Sequence, residues 1–399
     1  MAYIEKRGTA KKPKYVARWK GPDGSGLSQT FATKGAAQAH LDKLAAGKAG
    51  GVNKTLGALC DEFMAHARAL EAAGTRERST VEQYRQHVAH MKRDEIAAEK
   101  LHKLGTPEVQ RFLDRLIAGG MSVALAKKVR VTLGRIVGFG MRRGDILVNP
   151  VEATEIEEAT RADLGEDGPV IIPPKEALAA LLAAADARAP VDKGQAAAFV
   201  RVLLFCGLRM SELRGLGRKR VLAVGPRPHL KVVERADKWN KLGAPKSEGS
   251  RRDVPLGPET AQALRVWMLA APKGEAGLVF PNGSGNIESH ANFWNRLWAP
   301  LMAEAGLADK VTRKRKLNGK VREVEVWVPH YGFHAMRHAF ASINIENGVT
   351  PKKLSSLMGH ATIKLTMDTY GHLWPDHDGD AGIASAAEGL IAKAGPSRR

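Results

Sequence analysis

The chain has 399 residues, 44% of them hydrophobic, and a formal net charge of +20 at pH 7. That length carries roughly two to three domains with ordinary cores, and no apolar run reaches the length of a bilayer span, which argues against a membrane partner. The charge excess is more than solubility needs. It is the footprint of a nucleic-acid partner, because Lys and Arg displace counterions from phosphates. Cys60 and Cys206 lie far apart among apolar residues, so they read as small core residues in a reducing compartment and not as a disulfide framework or zinc site. The basic N-terminus lacks the apolar stretch of a secretory signal. The expected location is the cytoplasm, on DNA.

Residues 1–52 read as a small β-rich module. Residues 15–19 and 27–31 look like short strands around the turn signal GPDGSG, and a helix-like run follows. Lys11, Lys12, Lys14 and Arg18 are its candidate DNA contacts. Residues 53–151 read as a helical domain. Ser79 with Glu82 forms a capping box, and Val81, Tyr84, Val88 and Met91 recur at helical spacing. Thr106 reads as a cap with Pro107 at the first helical position. A last helix, from about 122 to 141, carries Lys127, Lys128, Arg130 and Arg135 on a basic face that suits DNA. Residues 152–169 are acidic, end in Gly-Pro, and read as a linker.

Residues 170–399 form the largest domain, with helices expected at 175–186, 196–206 (closed by Gly207), 334–347 and 351–358, and strands at 229–235 and 252–256. Before the helix that starts near His334 lies VTRKRKLNGKVREVEVWVPH. Its Asn318-Gly319 pair is a two-residue hairpin signal, with valines alternating along the second arm and Arg313, Lys314, Arg315 and Lys316 charging the tip. A basic hairpin is expected here, either solvated or touching DNA. Residues 381–399 read as a short weak helix.

Four stretches of this domain carry chemistry-bearing side chains: CGLRMSEL with Arg209 and Glu212, GAPKSEGSRRDVPL with Lys246 and Arg251, FHAMRHAFAS with His334 and Arg337, and MGHATIKLTMDTYGHL with His360 and Tyr370. His334 and His338 have the spacing of two zinc ligands on a helix. The glutamate of that motif is absent and Arg337 would repel a dication, so no metal is expected. Together the four form a phosphate-cleaving set. Arginines can grip non-bridging oxygens and stabilise charge building at phosphorus. Histidines can move protons, a lysine can protonate a leaving oxygen, and a tyrosine can attack.

In their order, these stretches resemble the four motif blocks of the tyrosine recombinases of the phage-integrase type, over most of residues 170–375. The resemblance implies a multidomain, mainly α protein with small β-sheets: an N-terminal β-rich arm-type DNA-binding module, a helical core-binding domain, and a mixed α+β catalytic domain at 170–399. It implies Tyr370 as nucleophile forming a 3′-phosphotyrosyl bond. Arg209 and Arg337 would be the phosphate clamp, Lys246 the proton donor to the 5′-oxygen, His334 the general acid–base group, His360 a phosphate hydrogen-bond donor and Glu212 a buttress. Lys238 and Lys241 remain alternatives to Lys246, His338 reads as structural, and His372 is a candidate for supporting the site. No metal, ATP or other cofactor is implied. The implied partners are double-stranded DNA attachment sites and further copies of the chain, as a tetramer on two sites. Need for an excisionase or a host DNA-bending protein stays open. The function expected is integration or excision of a phage or other mobile element. The alternatives are resolution of replicon dimers, a topoisomerase with the same chemistry, or a DNA-binding regulator on the same fold.

Overall fold

The computed structural model describes residues 3–9, 12–20, 26–49, 54–156, 170–245, 248–317 and 320–374, with Ser385, Glu388 and Gly389 besides. Lys11, the turn at 21–25, Lys246, the Asn318-Gly319 pair and nearly all of the tail lie outside the described residues. The chain divides into two compact units, Met1–Gly168 and Pro169–Arg399.

The first unit opens with an antiparallel sheet in the order β1 (Tyr3–Thr9), β2 (Lys12–Lys20), β3 (Gly26–Phe31). Helix α1 (Lys34–Ala49) packs on it over Ala17, Ala37 and Leu41. Strand β1 had no local signal, since its sequence is short and charged. It exists through pairing with β2, from Tyr3 opposite Arg18 to Thr9 opposite Lys12.

Four helices follow: α2 (Leu56–Ala72), α3 (Arg78–Arg93), α4 (Thr106–Ala118) and α5 (Val123–Arg143). They enclose Phe63, Tyr84, Phe112, Leu133 and Phe139. Two expected caps are corrected. Helix α3 starts after Glu77, and Ser79 Oγ donates to Glu77 Oε2 (3.2 Å) instead of capping. Helix α4 is capped by Gly105, whose N–H donates to Glu108 Oε2 (3.0 Å), so Thr106 is already helical. Both are shifts within a turn, where carboxylates two or three residues away compete for the same donors. The expected linker also starts too early. Thr154 is buried and Ile156 packs against the bundle core, so residues 152–156 belong to the helical part.

The second unit begins with α6 (Lys175–Ala187), α7 (Ala189–Asp192), α8 (Gln195–Cys206) and α9 (Met210–Arg214). A three-stranded antiparallel sheet has the order β4 (Val221–Leu222), β5 (His229–Val232), β8 (Arg252–Pro255). Between its last two strands, β6 (Arg235–Ala236) and β7 (Leu242–Gly243) form a separate two-stranded ribbon, which ends the expected strand at 229–235 early. Helices α10 (Pro258–Ala270), α11 (His290–Asn292) and α12 (Ala299–Glu304) come next. The basic hairpin follows as β9 (Ala308–Leu317) and β10 (Lys320–Pro329), in antiparallel register from Ala308–Pro329 to Leu317–Lys320. The chain then enters α13 (Phe333–Glu346), α14 (Pro351–Met358) and α15 (Ile363–Tyr370).

Helix α8 is apolar on nearly every side, as a helix enclosed by others must be. Phe199 on it stacks on Phe293 at 5.0 Å and meets Phe280 and Phe333 edge-on at 5.8 Å. A second, smaller apolar cluster joins Phe340, Ile345, Leu354, Leu357, Met358 and Tyr370, and thereby ties α13, α14 and α15 together. Among the described residues, no helix is long and apolar enough to cross a membrane.

Candidate active site

Two helices end against the site in the same way. Helix α8 stops at Gly207 with φ +58°, where a Cβ would lie 2.4 Å from Phe340 Cδ1. Helix α14 stops at Gly359 with φ +62°, where a Cβ would lie 2.7 Å from Arg252 Nη1. Only glycine accepts both the left-handed backbone and the close neighbour. The carbonyls at these ends need donors, and arginines supply them. Arg337, in the middle of α13 and 2% exposed, donates to Gly207 O and to Met358 O (2.6 Å). Arg209, at the start of α9, donates from Nη2 to Gly359 O (3.1 Å).

Glu212 holds the arginines together. Its Oε2 accepts from the Arg209 N–H (3.0 Å) and its Oε1 from Arg209 Nη1 (2.8 Å). Arg252 forks onto the same carboxylate at 2.8 and 3.2 Å and donates from Nε to Leu357 O (2.6 Å). Burial alone would raise the Glu212 carboxyl, but Arg252 and Arg209 outweigh it and hold it below the usual range. Arg337 is pushed down to about 9, by burial first and then by Arg209, against the pull of Glu212. Two guanidiniums thus share one buried carboxylate and a third stands beside them, leaving an excess of fixed positive charge.

Arg252 was not singled out from the sequence; Arg251 was, and it is exposed. The signal was available: β8 alternates with Arg252 and Val254 inward, Asp253 and Pro255 outward.

The histidines and the tyrosine complete the site. His360 Nδ1 lies 2.7 Å from Thr366 Oγ1, and burial followed by Arg337 and Arg209 takes its pKa down to about 4. His334 is exposed on the first turn of α13, and its pKa is lowered by desolvation of the ring, then by Arg337 and Arg209. One turn on, the His338 ring meets that of His334 edge-on at 4.7 Å. Its Nδ1 lies 2.7 Å from Tyr370 Oη, and burial, His334 and Arg337 take it down to about 4. Tyr370 is 2% exposed, and burial pushes its hydroxyl up to about 12, although Arg337 pulls the other way. The imidazoles of His338 and His360 are therefore neutral at pH 7, and the tyrosine carries its proton.

Of the residues expected in the site, Arg209, Glu212, His334, Arg337, His360 and Tyr370 come together through these contacts and couplings, and Lys246 lies outside the described residues. His338, expected to be structural, touches the tyrosine hydroxyl. His372 is exposed on the turn after α15. Lys238 rests over the Trp239 ring at 4.5 Å, and Lys241 is exposed on the β6–β7 turn.

The candidate DNA contacts divide. Lys14, Lys128, Arg313 and Lys314 are exposed, and Lys127 is half-buried. Lys12 lies on β2, and Arg315 and Lys316 on β9. Arg18 donates to Glu5 Oε2 (3.1 Å), and Arg135 to the buried Tyr84 hydroxyl. Arg130 is a correction. It turns inward, donating from Nε to Thr154 Oγ1 (2.8 Å) and from Nη2 to the carbonyls of Val151 (3.0 Å) and Thr154 (2.7 Å), so it pins residues 151–154 to α5.

The chain resembles known proteins over both units. A tyrosine recombinase XerC-like protein of Caldanaerobacter subterraneus subsp. tengcongensis is 26% identical over 323 residues, which cover 75% of this chain and 76% of the relative. The transposase from transposon Tn916 of Enterococcus faecalis is 28% identical over 182 residues, 43% of this chain and 41% of that one. Two solved structures share the fold. The Tn1549 transposon integrase in complex with transposon right end DNA has a TM-score of 0.62 at 17% identity, covering 85% of this chain and 100% of that chain. A lambda integrase tetramer bound to a Holliday junction has a TM-score of 0.55 at 15% identity, covering 92% and 94%. The phage integrase family pattern matches residues 174–377, more than half of the chain and the whole stretch that builds the arginine cluster and its tyrosine. The chain therefore belongs to the phage integrase family: it is a tyrosine recombinase, a DNA strand-transferring enzyme of site-specific recombination.

Proposed function

We propose that Tyr370 is the nucleophile of this recombinase and that the arginine cluster is its phosphate seat. One observation carries the reading: Arg209 and Arg252 share a single carboxylate, Arg337 stands beside them with no carboxylate among its described hydrogen bonds, and each of the three is tied to backbone carbonyls next to a buried tyrosine. A scissile phosphodiester is the anion that completes such a site, and fixed donors cost no reorganisation as charge builds. Tyr370 Oη attacks phosphorus, the bond to the 5′-oxygen breaks, and a 3′-phosphotyrosyl ester forms. Arg209 and Arg337 hold the non-bridging oxygens, and His360, oriented by Thr366, adds a hydrogen bond. Glu212, with Arg252, keeps Arg209 in place. Lys246, a few residues before Arg252, protonates the leaving 5′-oxygen. One ester replaces another, so the second strand can restore the DNA backbone by the reverse step.

The reaction integrates or excises a mobile element, with further copies of the chain assembled on two DNA sites. The neighbouring structures, one on transposon end DNA and one a tetramer on a Holliday junction, support this assembly. So does the exposed apolar pair Ile363 and Met367, one turn apart on α15. The likeness to XerC-like and XerD recombinases favours resolution of replicon dimers as the second reading. The β1–β3 module would bind separate arm-type DNA. Deleting residues 1–52 is then expected to abolish integration while sparing cleavage of an isolated core site; full integration by the truncated chain would remove that role.

The test is a covalent trap. The protein is mixed, in EDTA, with nicked duplexes spanning the end junction of the element that encodes it, and adducts are read on a denaturing gel. The expected result is an adduct whose linked peptide contains Tyr370 and which is lost in Tyr370→Phe. An adduct that persists in Tyr370→Phe would overturn the assignment.

A further inference from the structure

We infer that His338, and not His334, takes the proton from Tyr370 when the tyrosine attacks. The inference rests on Tyr370 being the nucleophile. Its basis is contact: His338 Nδ1 is 2.7 Å from Tyr370 Oη, across 32 positions of sequence. For His334, the described contact in this direction is the edge of the His338 ring at 4.7 Å. A general base must reach the proton it removes before its basicity matters.

The surroundings fit the role. The charged and titratable groups that perturb His338 are His334 and Arg337 on its own helix, and Tyr370 faces it from α15. Before the phosphate arrives, burial, then His334 and Arg337, keep the imidazole neutral, so one of its two ring nitrogens carries no proton and can accept one. In the tautomer that carries hydrogen on Nε2, Nδ1 accepts from the tyrosine hydroxyl. When the Oη–P bond forms, this proton passes to Nδ1 and leaves an imidazolium. The electron pair of the breaking P–O5′ bond goes to the 5′-oxygen, which is protonated by the separate acid assigned above to Lys246. In the reverse step the imidazolium returns the proton to Tyr370 as it leaves. The bound phosphate's negative charge offsets the imidazolium that Arg337 otherwise disfavours, so the base acts only once substrate is seated. His334, exposed at the start of α13, is then left to contact the phosphate.

The experiment uses the full chain and the nicked junction duplexes, made both with an ordinary phosphate and with sulfur in place of the bridging 5′-oxygen. Sulfur leaves without a proton, so this substrate relieves a missing acid but not a missing base. His338→Asn keeps an amide that can hold the tyrosine hydroxyl but cannot accept its proton. Adduct formation by H338N is expected to be about 100-fold slower than wild type on both substrates, within the usual range for a general base. Lys246→Ala should recover on the sulfur substrate. His338→Ala should regain rate with added imidazole, and DNA binding by gel shift should be unchanged in both His338 variants. Wild-type rates in H338N would reduce His338 to holding the tyrosine and overturn the inference. Recovery of H338N on the sulfur substrate would also overturn it, by placing His338 on the acid side. Tyr370→Phe run in parallel separates the two readings: an adduct there would mean that the nucleophile itself is wrongly assigned.

Discussion

The helical bundle at 54–156 and the arginine cluster of the second unit handle positive charge in opposite ways. In the bundle, charge is matched locally. Arg115 forks onto Asp94 at 2.6 and 2.9 Å, and Lys54 meets both Asp145 and Glu62 at 2.8 Å. In the cluster, Glu212 is shared by Arg209 and Arg252, and Arg337 beside them is bound only to neutral carbonyls among its described hydrogen bonds. The first arrangement is complete as it stands. The second carries more positive charge than its one carboxylate neutralises, and burial makes that imbalance costly. A basic residue thus says little by itself about nucleic acid; what matters is whether its charge has been answered within the fold.

The sharpest way to break the contrast is to keep the charge and remove the fork. Arg337→Lys should slow adduct formation by about 10²–10³-fold, since an ammonium cannot grip two phosphate oxygens at once. DNA binding in a gel shift should remain. A rate within a few-fold of wild type would mean that Arg337 is structural only.

Removing the shared carboxylate tests the same contrast through stability. Glu212→Gln leaves the buried Arg252 facing a neutral amide and should cost about 3–5 kcal/mol in denaturant unfolding. Asp94→Asn, the same change in the bundle, should cost about 1 kcal/mol, because Arg115 is partly solvated. Equal losses would remove the distinction. The pH dependence has a definite sign. The Glu212 carboxyl is held below its unfolded value. Its contribution is therefore present above the ordinary carboxylate range and lost as pH falls through the lowered folded value. E212Q should flatten the acid limb of the stability profile.

The smallest effect concerns the hairpin. Replacing Arg313, Lys314, Arg315 and Lys316 by Gln should weaken DNA binding and reduce its salt slope by a few units, about 0.9 for each phosphate no longer neutralised. An unchanged slope would place the hairpin with the bundle, as charge facing only solvent.

Much of the site was legible in the sequence. Arg209 lies between two helix signals, Arg337 and His334 share a helix, and Tyr370 follows His360 in a stretch with few bulky neighbours. Chemistry-bearing residue types at turns and on one helix face are local patterns, and local patterns survive in a linear reading. The caps were less legible. Ser79 and Thr106 each had a competitor one or two residues away, and hydrogen-bond geometry, not residue type, decides between them.

The sequence by itself determined the helices α3, α4, α5, α6, α8, α13 and α14 to within about a turn, the basic hairpin arms, the glycine that ends α8, and the order of residues that groups this chain with the tyrosine recombinases. Tertiary structure alone decided which basic residues turn inward. Arg252 reaches Glu212 across 40 positions, Arg337 reaches Gly207 across 130, and Arg130 folds back on Thr154 across 24. It also decided that His338 meets Tyr370. The physical reason is common to all four: a periodic pattern fixes the face on which a side chain stands, but its partner stands on another element, and only the packed fold brings the two within hydrogen-bond reach.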